Sequence, residues 1–244
     1  MTVSTYKNSD FLSKYERELK ARQEISFRQI RKMIGDIAGK KVIDIGTGPG
    51  NLAKELSDKG ARVIGVDSSE QWIISCKEKY TESKHLQFIH TGGGNLSSIK
   101  SKSIDVVIMN VVLPNVDSLQ EVEKIFKEVG RVLKKNGLFI FSDLHPILKM
   151  SAKIHPDRYQ KYLPSFSYFK DGSSFTSGIV FDKKKREKIE FNNRHWTLET
   201  YTKFLTNEGL VIYSLTEPTY RKGDPTLLLE YAIPEYLLFG CKKI

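Results

Sequence analysis

The stretch Val42-Ile-Asp-Ile-Gly-Thr-Gly-Pro-Gly-Asn51 sets three glycines, Gly46, Gly48 and Gly50, at alternate positions behind an acidic residue, Asp44. Glycine lets a backbone adopt positive φ and approach a ligand closely. Amides at the start of a following helix face that same ligand. The first chemistry to test is dinucleotide binding, whose fingerprint is G-x-G-x-x-G. That pattern fails by one position, because residue 51 is Asn and the third glycine is Gly50; the spacing is D-x-G-x-G-x-G. A second acid, Asp67, follows 17 residues past Gly50 in Gly65-Val-Asp67-Ser-Ser, and two histidines sit in polar surroundings at Asp143-Leu-His145-Pro146 and Asn193-Arg-His195-Trp196. An imidazole there could take a proton from a reacting group or serve as an ordinary hydrogen-bonding residue.

The elements that position these residues alternate. Lys41–Ile45 is a short apolar run ending in glycines, suited to a buried parallel strand. Asn51 to Lys59 reads as a helix, Arg62–Val66 as a second strand, Glu70 to Tyr80 as a helix, Leu86–Ile89 as a third strand and Asp105–Met109 as a fourth. Val122, Ile125, Phe126, Val129, Val132 and Leu133 then repeat at helical spacing, between a capping box at Ser118–Glu121 and a stop at Asn136-Gly137. Leu138–Phe141 is a fifth strand. Upstream, Ile25, Ile30, Met33, Ile34 and Ile37 lie on one helical face that Gly39 closes. This alternation predicts a parallel sheet with helices on both faces. After His145 the rhythm breaks. Residues 147–193 are rich in Lys, Tyr, Phe, Ser and Gly, and Ser177–Phe181 is expected to pair with Lys188–Asn192 across Asp182–Glu187. A helix from Thr197 to Asn207, closed by Gly209, and strands Leu210–Leu215 and Glu235–Lys242, expected to pair antiparallel, complete the chain.

The D-x-G-x-G-x-G loop, the acid in Gly65-Val-Asp67, the stretch Asp105–Asn110 and Val132-Leu-Lys-Lys-Asn-Gly-Leu-Phe-Ile140 together resemble, in order and at matching spacings, four motifs of the class I S-adenosylmethionine-dependent methyltransferases. The segments around His145 and His195 resemble a small-molecule subgroup, that of the ubiquinone and menaquinone methyltransferases. The resemblance implies an α/β fold, a three-layer Rossmann-like doubly wound sheet, mostly parallel with an antiparallel last strand, and a cap inserted after the fifth strand. It implies domains at 1–38 (an N-terminal helical segment), 39–146 with 194–244 (the core) and 147–193 (a substrate-side cap). It implies S-adenosyl-L-methionine as cofactor, leaving as S-adenosyl-L-homocysteine. The cofactor-binding residues would be Asp44, Gly46, Thr47, Gly48, Gly50, Asn51, Asp67, Ser68, Trp72, Gly93, Gly94, Asn95, Asn110 and Val111. In the family the acid at Asp67 accepts both ribose hydroxyls, a task suited to a carboxylate with two oxygens. The family's small-molecule members often carry an Asp after the third strand, but Thr91–Asn95 has none, which leaves backbone amides, Asn95 or stacking for the adenine. Trp72 could pack on that ring or be a core aromatic. His145 and His195 are the candidate catalytic residues of the acceptor site. Phe166, Tyr168 and Phe169 could wall an apolar substrate or form the insertion's own core. In the family, a segment such as that of Tyr6, Tyr15 and Arg17 can fold over the cofactor.

Composition narrows the alternatives. The chain has 244 residues and a net charge of +10, evenly divided: residues 1–145 carry 23 basic and 18 acidic side chains, the rest 16 and 11. No basic arm stands out. Two cysteines exclude a disulfide scaffold and a Cys-rich zinc module, and no metal site is expected. No apolar run reaches the roughly 18 residues of a membrane span, and Met1–Asp10 is polar, unlike a secretory signal. The expectation is a cytoplasmic monomer or homodimer that methylates an O, N or C atom of a small molecule, with no nucleic-acid partner. A tRNA or rRNA methyltransferase, which the positive charge would suit, and a cofactor-binding homologue without turnover are the competing readings.

Overall fold

The computed structural model describes residues 23–81, 83–149, 153–155, 158–162, 164–182, 187–218 and 234–244. Tyr6, Tyr15 and Arg17 lie outside these. Helix α1 (23–34) precedes strand β1 (Lys41–Ile45) and helix α2 (Asn51–Asp58). Strand β2 (Arg62–Asp67), helix α3 (Glu70–Lys79), strand β3 (Leu86–His90) and strand β4 (Ile104–Asn110) follow. A 3-10 turn (Leu113–Asn115) leads to helix α4 (Leu119–Val132) and strand β5 (Leu133–Leu144).

A short helix α5 (Pro146–Lys149) opens the next section, with strands β6 (Lys153–His155), β7 (Arg158–Tyr162), β8 (Ser173–Asp182) and β9 (Glu187–His195). Helix α6 (Leu198–Asn207) and strands β10 (Leu210–Thr216) and β11 (Tyr236–Lys243) return to the main body.

The main sheet has seven strands in the order β10-β11-β5-β4-β1-β2-β3; the second has four, β6-β7-β8-β9. The fold is Rossmann-like, as the motifs imply. β1 to β5 run parallel, and β11 lies antiparallel between β5 and β10. Alternation along each strand loads both faces. Ile43 and Ile45, Val107 and Met109, and Phe139 and Phe141 pack toward α4 and α6. Val42, Val106 with Ile108, and Ile140 pack toward α1, α2 and α3. Strands with both faces covered read as continuous apolar runs, which is why the sequence shows them so plainly. The α4 face is aromatic: Phe126 meets Phe139 and Phe141 edge-on at 5.8 and 5.7 Å, and Phe141 stacks on Phe239 of β11 at 4.4 Å. Such pairs add on the order of 0.5–1.5 kcal/mol to the area they bury.

Two helix ends differ from expectation. α1 stops at Gly35, in the left-handed region at φ 60°, and not at Gly39. The amide of Gly35 still closes on Arg31 O, after which no helical turn continues. α4 ends at Val132 because Leu133 is already extended (φ −67°, ψ 138°) and pairs with Ile104; the turn at Asn136, φ 65°, then resets the register of β5 on β4. At the other end of α4, Ser118 Oγ accepts from the Glu121 amide at 3.2 Å, the N-cap half of the expected box. The hairpin pairs as expected, Ser177 opposite Phe191 and Val180 opposite Lys188, and extends on to Ser173 opposite His195.

Candidate active site at the carboxyl ends of the strands

The glycine loop hangs between β1 and α2. Gly46, Gly48 and Gly50 have φ of 67°, 52° and 73°, a conformation that L side chains rarely adopt. A Cβ at Gly46 would collide with Val112, whereas one at Gly48 would meet nothing within 4 Å. Gly48 therefore presents bare backbone to open space. The loop is held from below by Gly46 N and Thr47 N donating to Val66 O at 2.8 and 3.0 Å. From α3, Cys76 Sγ donates to Gly48 O at 3.2 Å and Tyr80 Oη donates to Pro49 O at 3.3 Å. Asn51 Oδ1 also accepts from Tyr80, so that side chain turns toward α3.

The two acids stand at the neck of this loop. Asp67 accepts from the Gly48 amide through Oδ2 (2.9 Å) and from the Ser69 amide through Oδ1 (2.8 Å). Each carboxylate oxygen has two lone pairs, so one per oxygen remains for a ligand. Burial raises its pKa, and the two amides work against that rise. Asp44 is 3% exposed, with Thr47 Oγ1 donating to Oδ2 at 2.7 Å. Burial lifts its pKa to about 7, the Thr47 bond lowers it and the charge of Asp67 raises it further. Ser68 O accepts from the His90 ring at 3.1 Å, and Trp72 is buried on the first turn of α3, behind the N-cap Ser69.

At the end of β3, Thr91 Oγ1 donates to Asn95 O at 2.8 Å. Asn95 Oδ1 accepts from Ser97 Oγ at 2.9 Å, a turn-forming contact that directs the side chain along the loop. A Cβ at Gly93 would collide with Ile45, and one at Gly94 would have to displace the carboxylate end of Glu121. At the end of β4, Val111 has φ 54°, an unusual conformation for a β-branched residue, and costs of order 1–3 kcal/mol. It is clamped from β5: the Val111 amide meets Ser142 O and Oγ, each at 3.1 Å, and Ser142 Oγ donates to Asn110 Oδ1 at 2.7 Å. Ser142 is fully buried and was absent from the sequence candidates. Its one sequence signal is the change from apolar to polar at the end of β5.

The histidines are both engaged. His145 Nδ1 accepts from the Ile147 amide at 3.0 Å, which places the proton on Nε2, directed to Glu217 Oε1 at 2.7 Å. His195 is fully buried, its Nε2 2.8 Å from Tyr168 O, between the rings of Tyr168 (4.9 Å) and Phe166 (5.7 Å). Phe166 also meets Phe175 edge-on, so two of the three insertion aromatics surround His195, while Phe169 is 91% exposed. Next to them, Asp143 is buried and accepts from Tyr201 Oη at 2.5 Å; burial and that carboxylate push the phenol well above its usual range. The second sheet reaches this end of the main sheet through Trp196, whose Nε1 donates to Leu113 O at 2.8 Å, and through the ion pair of Arg194 with Asp117. The strand ends thus bring together Asp44, Asp67, the glycine loop, the Thr91–Gly94 turn, Asn110 and Val111. Among the described residues no group of three or more His, Cys, Asp or Glu could hold a metal, and no helix is long and apolar enough to cross a membrane.

A family described as "Methyltransferase domain" matches residues 43–141. Of curated relatives, YqeM of Bacillus subtilis, a methyltransferase by name, is 26% identical over 72% of this chain and 75% of its own length. Thiol S-methyltransferase TMT1B of Mus musculus is 28% identical over 51% of each chain. The ubiquinone biosynthesis O-methyltransferase of Pelagibacter ubique is 28% identical over 56% of each. The chain thus spans three quarters of YqeM and about half the length of the other two. A crystal structure of an S-adenosylmethionine-dependent methyltransferase from Listeria monocytogenes is similar with a TM-score of 0.69 at 25% identity, covering 91% of this chain and 99% of that one.

Proposed function

We propose, from the premise that this chain is a class I S-adenosylmethionine-dependent methyltransferase, that its acceptor is a small molecule held between the carboxyl ends of the main strands and the β8–β9 sheet. The observation that carries this reading is the anchoring of that sheet over the strand ends by Trp196 on Leu113 and Arg194 on Asp117, which leaves the site a roof suited to a compact acceptor. The relatives named for thiol and ubiquinone-pathway substrates support it.

The residues present fit the cofactor. Gly48 offers open space and bare backbone, and Asp67 keeps a lone pair on each oxygen for a pair of ribose hydroxyls. When bound, the cofactor supplies an electrophilic methyl on a cationic sulfonium. Asp44, poised near pH 7, would ionise beside that positive charge. Asn110 and Val111 form the wall that fixes the line of approach, and Ser142 fixes them. Gly46, Thr47, Gly50, Ser68, Gly93 and Gly94 contribute backbone. For Asn51 and Asn95, whose side chains point to Tyr80 and Ser97, the proposal is likewise a backbone role. Trp72 backs the adenine side of the site. That methyl would pass to a lone pair of the acceptor, with the carbon–sulfur bonding pair left on sulfur. This chemistry depends mainly on positioning and exclusion of water. His145 and His195 shape the pocket, because His145 has its lone pair capped by Ile147 and His195 is sealed beneath Tyr168.

The test is a screen of metabolite extracts with methyl-labelled cofactor and mass spectrometry of the product, run beside purified tRNA and rRNA. Label in a small molecule is expected. Label in RNA alone would replace this reading with the nucleic-acid one, and cofactor binding without product from any pool would mark a homologue lacking turnover.

A further inference from the structure

The opposite end of the main sheet, where β1, β4 and β5 begin, holds a cavity of about 530 Å³. Its floor is apolar, from Met33 of α1, Val106, Leu138 and Tyr213, and its rim carries four lysines, Lys40, Lys134, Lys135 and Lys242. One acid, Asp105, stands among them. Both its oxygens are taken, Oδ1 by Lys134 Nζ at 2.6 Å and Oδ2 by the Lys41 amide at 2.8 Å. The remaining three ammonium groups have no carboxylate within ion-pair distance among the described residues. Four lysines on or at the ends of the helices are paired, Lys54 with Asp58, Lys59 with Glu55, Lys124 with Glu121 and Lys127 with Glu123, whereas Lys32, Lys77 and Lys203 have no ion pair among the described residues; what sets the cavity apart is the gathering of its lysines.

Four lysines from separate parts of the chain therefore converge on one concavity around a single carboxylate, Asp105, which bonds Lys134 and also feels the charge of Lys40, so the lining keeps a net positive charge. Lys40 precedes β1, Lys135 lies in the turn of β5, and Lys242 arrives on the antiparallel β11 opposite Leu138. Like charges gathered this way repel one another, and an anion that enters is attracted by all three. The apolar floor adds a surface for a ring or hydrocarbon, and the depression is open to solvent, with Lys135 and Lys242 exposed at its rim. β4 separates this cavity from the methyl-transfer end by roughly 20 Å, so the two cannot share a ligand.

We propose that this cavity is a second binding site, for a soluble small molecule that carries a phosphate or diphosphate on an apolar body. Lys40, Lys135 and Lys242 would hold the anion, with Tyr213 and Leu138 beneath the body. The proposal stands apart from the identity of the methyl acceptor.

The probe is inorganic pyrophosphate, titrated by calorimetry into the protein saturated with S-adenosylhomocysteine at about 150 mM salt, where exposed charges are screened beyond roughly 8 Å. Saturable 1:1 binding is expected, and the triple variant Lys40→Gln, Lys135→Gln, Lys242→Gln should weaken it about tenfold or more. S-adenosylhomocysteine affinity should be the same in both proteins, which certifies the variant's fold. Absence of saturable pyrophosphate binding, or binding equal in the variant, overturns the proposal. So does lysine-dependent binding to phosphatidylglycerol vesicles without binding of pyrophosphate, because the surface would then read a lipid headgroup plane and not a soluble ligand.

Discussion

Asp67 and Asp44 stand one pleat apart at the ends of neighbouring strands, yet their tasks differ. Asp67 organises the loop and, in the proposed function, keeps acceptor capacity for the ribose. Replacing it with Ala removes charge-assisted bonds of roughly 1.5–3 kcal/mol each, so S-adenosylhomocysteine affinity should fall at least about tenfold by calorimetry. An unchanged dissociation constant would place the ribose elsewhere. Asp44 carries a stability signature. Its folded pKa, about 7, lies above the ordinary value of 3.8, so the native state holds the proton more tightly than the unfolded chain. Its contribution is therefore complete below about pH 4, falls as pH rises toward 7 and is flat above. At 1.36 kcal/mol per unit the loss is at most roughly 4 kcal/mol. Asp44→Asn keeps an acceptor for Thr47 and abolishes the ionisation. Urea melts of the cofactor-free proteins at pH 5 and pH 8 should show a smaller drop in the variant, and equal drops in both proteins would mean that Asp44 does not titrate in this range.

At the scale of elements, the segment leading into β8 is tied to the first turn of α6 by Asp171, which accepts from the Thr197 amide at 2.7 Å and from Thr200 Oγ1 at 2.5 Å. Thr197 Oγ1 alone still caps the Thr200 amide. Asp171→Ala should cost about 1–2 kcal/mol, lowering Tm by roughly 2–8 °C, with cofactor affinity retained; a variant as stable as the parent would show that Thr197 suffices. No local pattern pointed to Asp171, because its partners lie 26 and 29 residues away. The same holds for the site. The glycine loop, Asp44 and Asp67 were legible because loop, strand and acid are adjacent in sequence and their spacing is set by one β–α–β unit. The locked state of His145 was not, since Glu217 is 72 residues distant. Nor was Ser142, whose partners Asn110 and Val111 are reached only when β4 pairs with β5. The end of α4 was misread for a related reason: Leu133 fits the helical repeat, but pairing with Ile104 draws it into the sheet.

For the molecule as a whole, the order of strands in the main sheet is also an order in time. β11 sits between β5 and β10, so residues 236–243 separate strands that precede them in the chain. Until that segment leaves the ribosome, one edge of β5 lacks its ladder and the ring of Phe141 lacks its stacking partner Phe239. An unpaired, apolar edge of this kind invites association with other chains. Nascent chains arrested, through a C-terminal linker, with residue 233 at the tunnel exit should therefore show β5 open to limited proteolysis, and chains on a longer linker that brings residue 244 out of the tunnel should show it protected; protection already present with the shorter linker would mean that β5 finds another partner first. During that interval the residues of the glycine loop and Asp67 have already emerged while the strand that completes the sheet is still missing. In the proposed function the nascent chain would thus meet its cofactor before it is safe from its neighbours, and early capture of S-adenosylmethionine would act as a folding aid at the moment the chain is most exposed to aggregation.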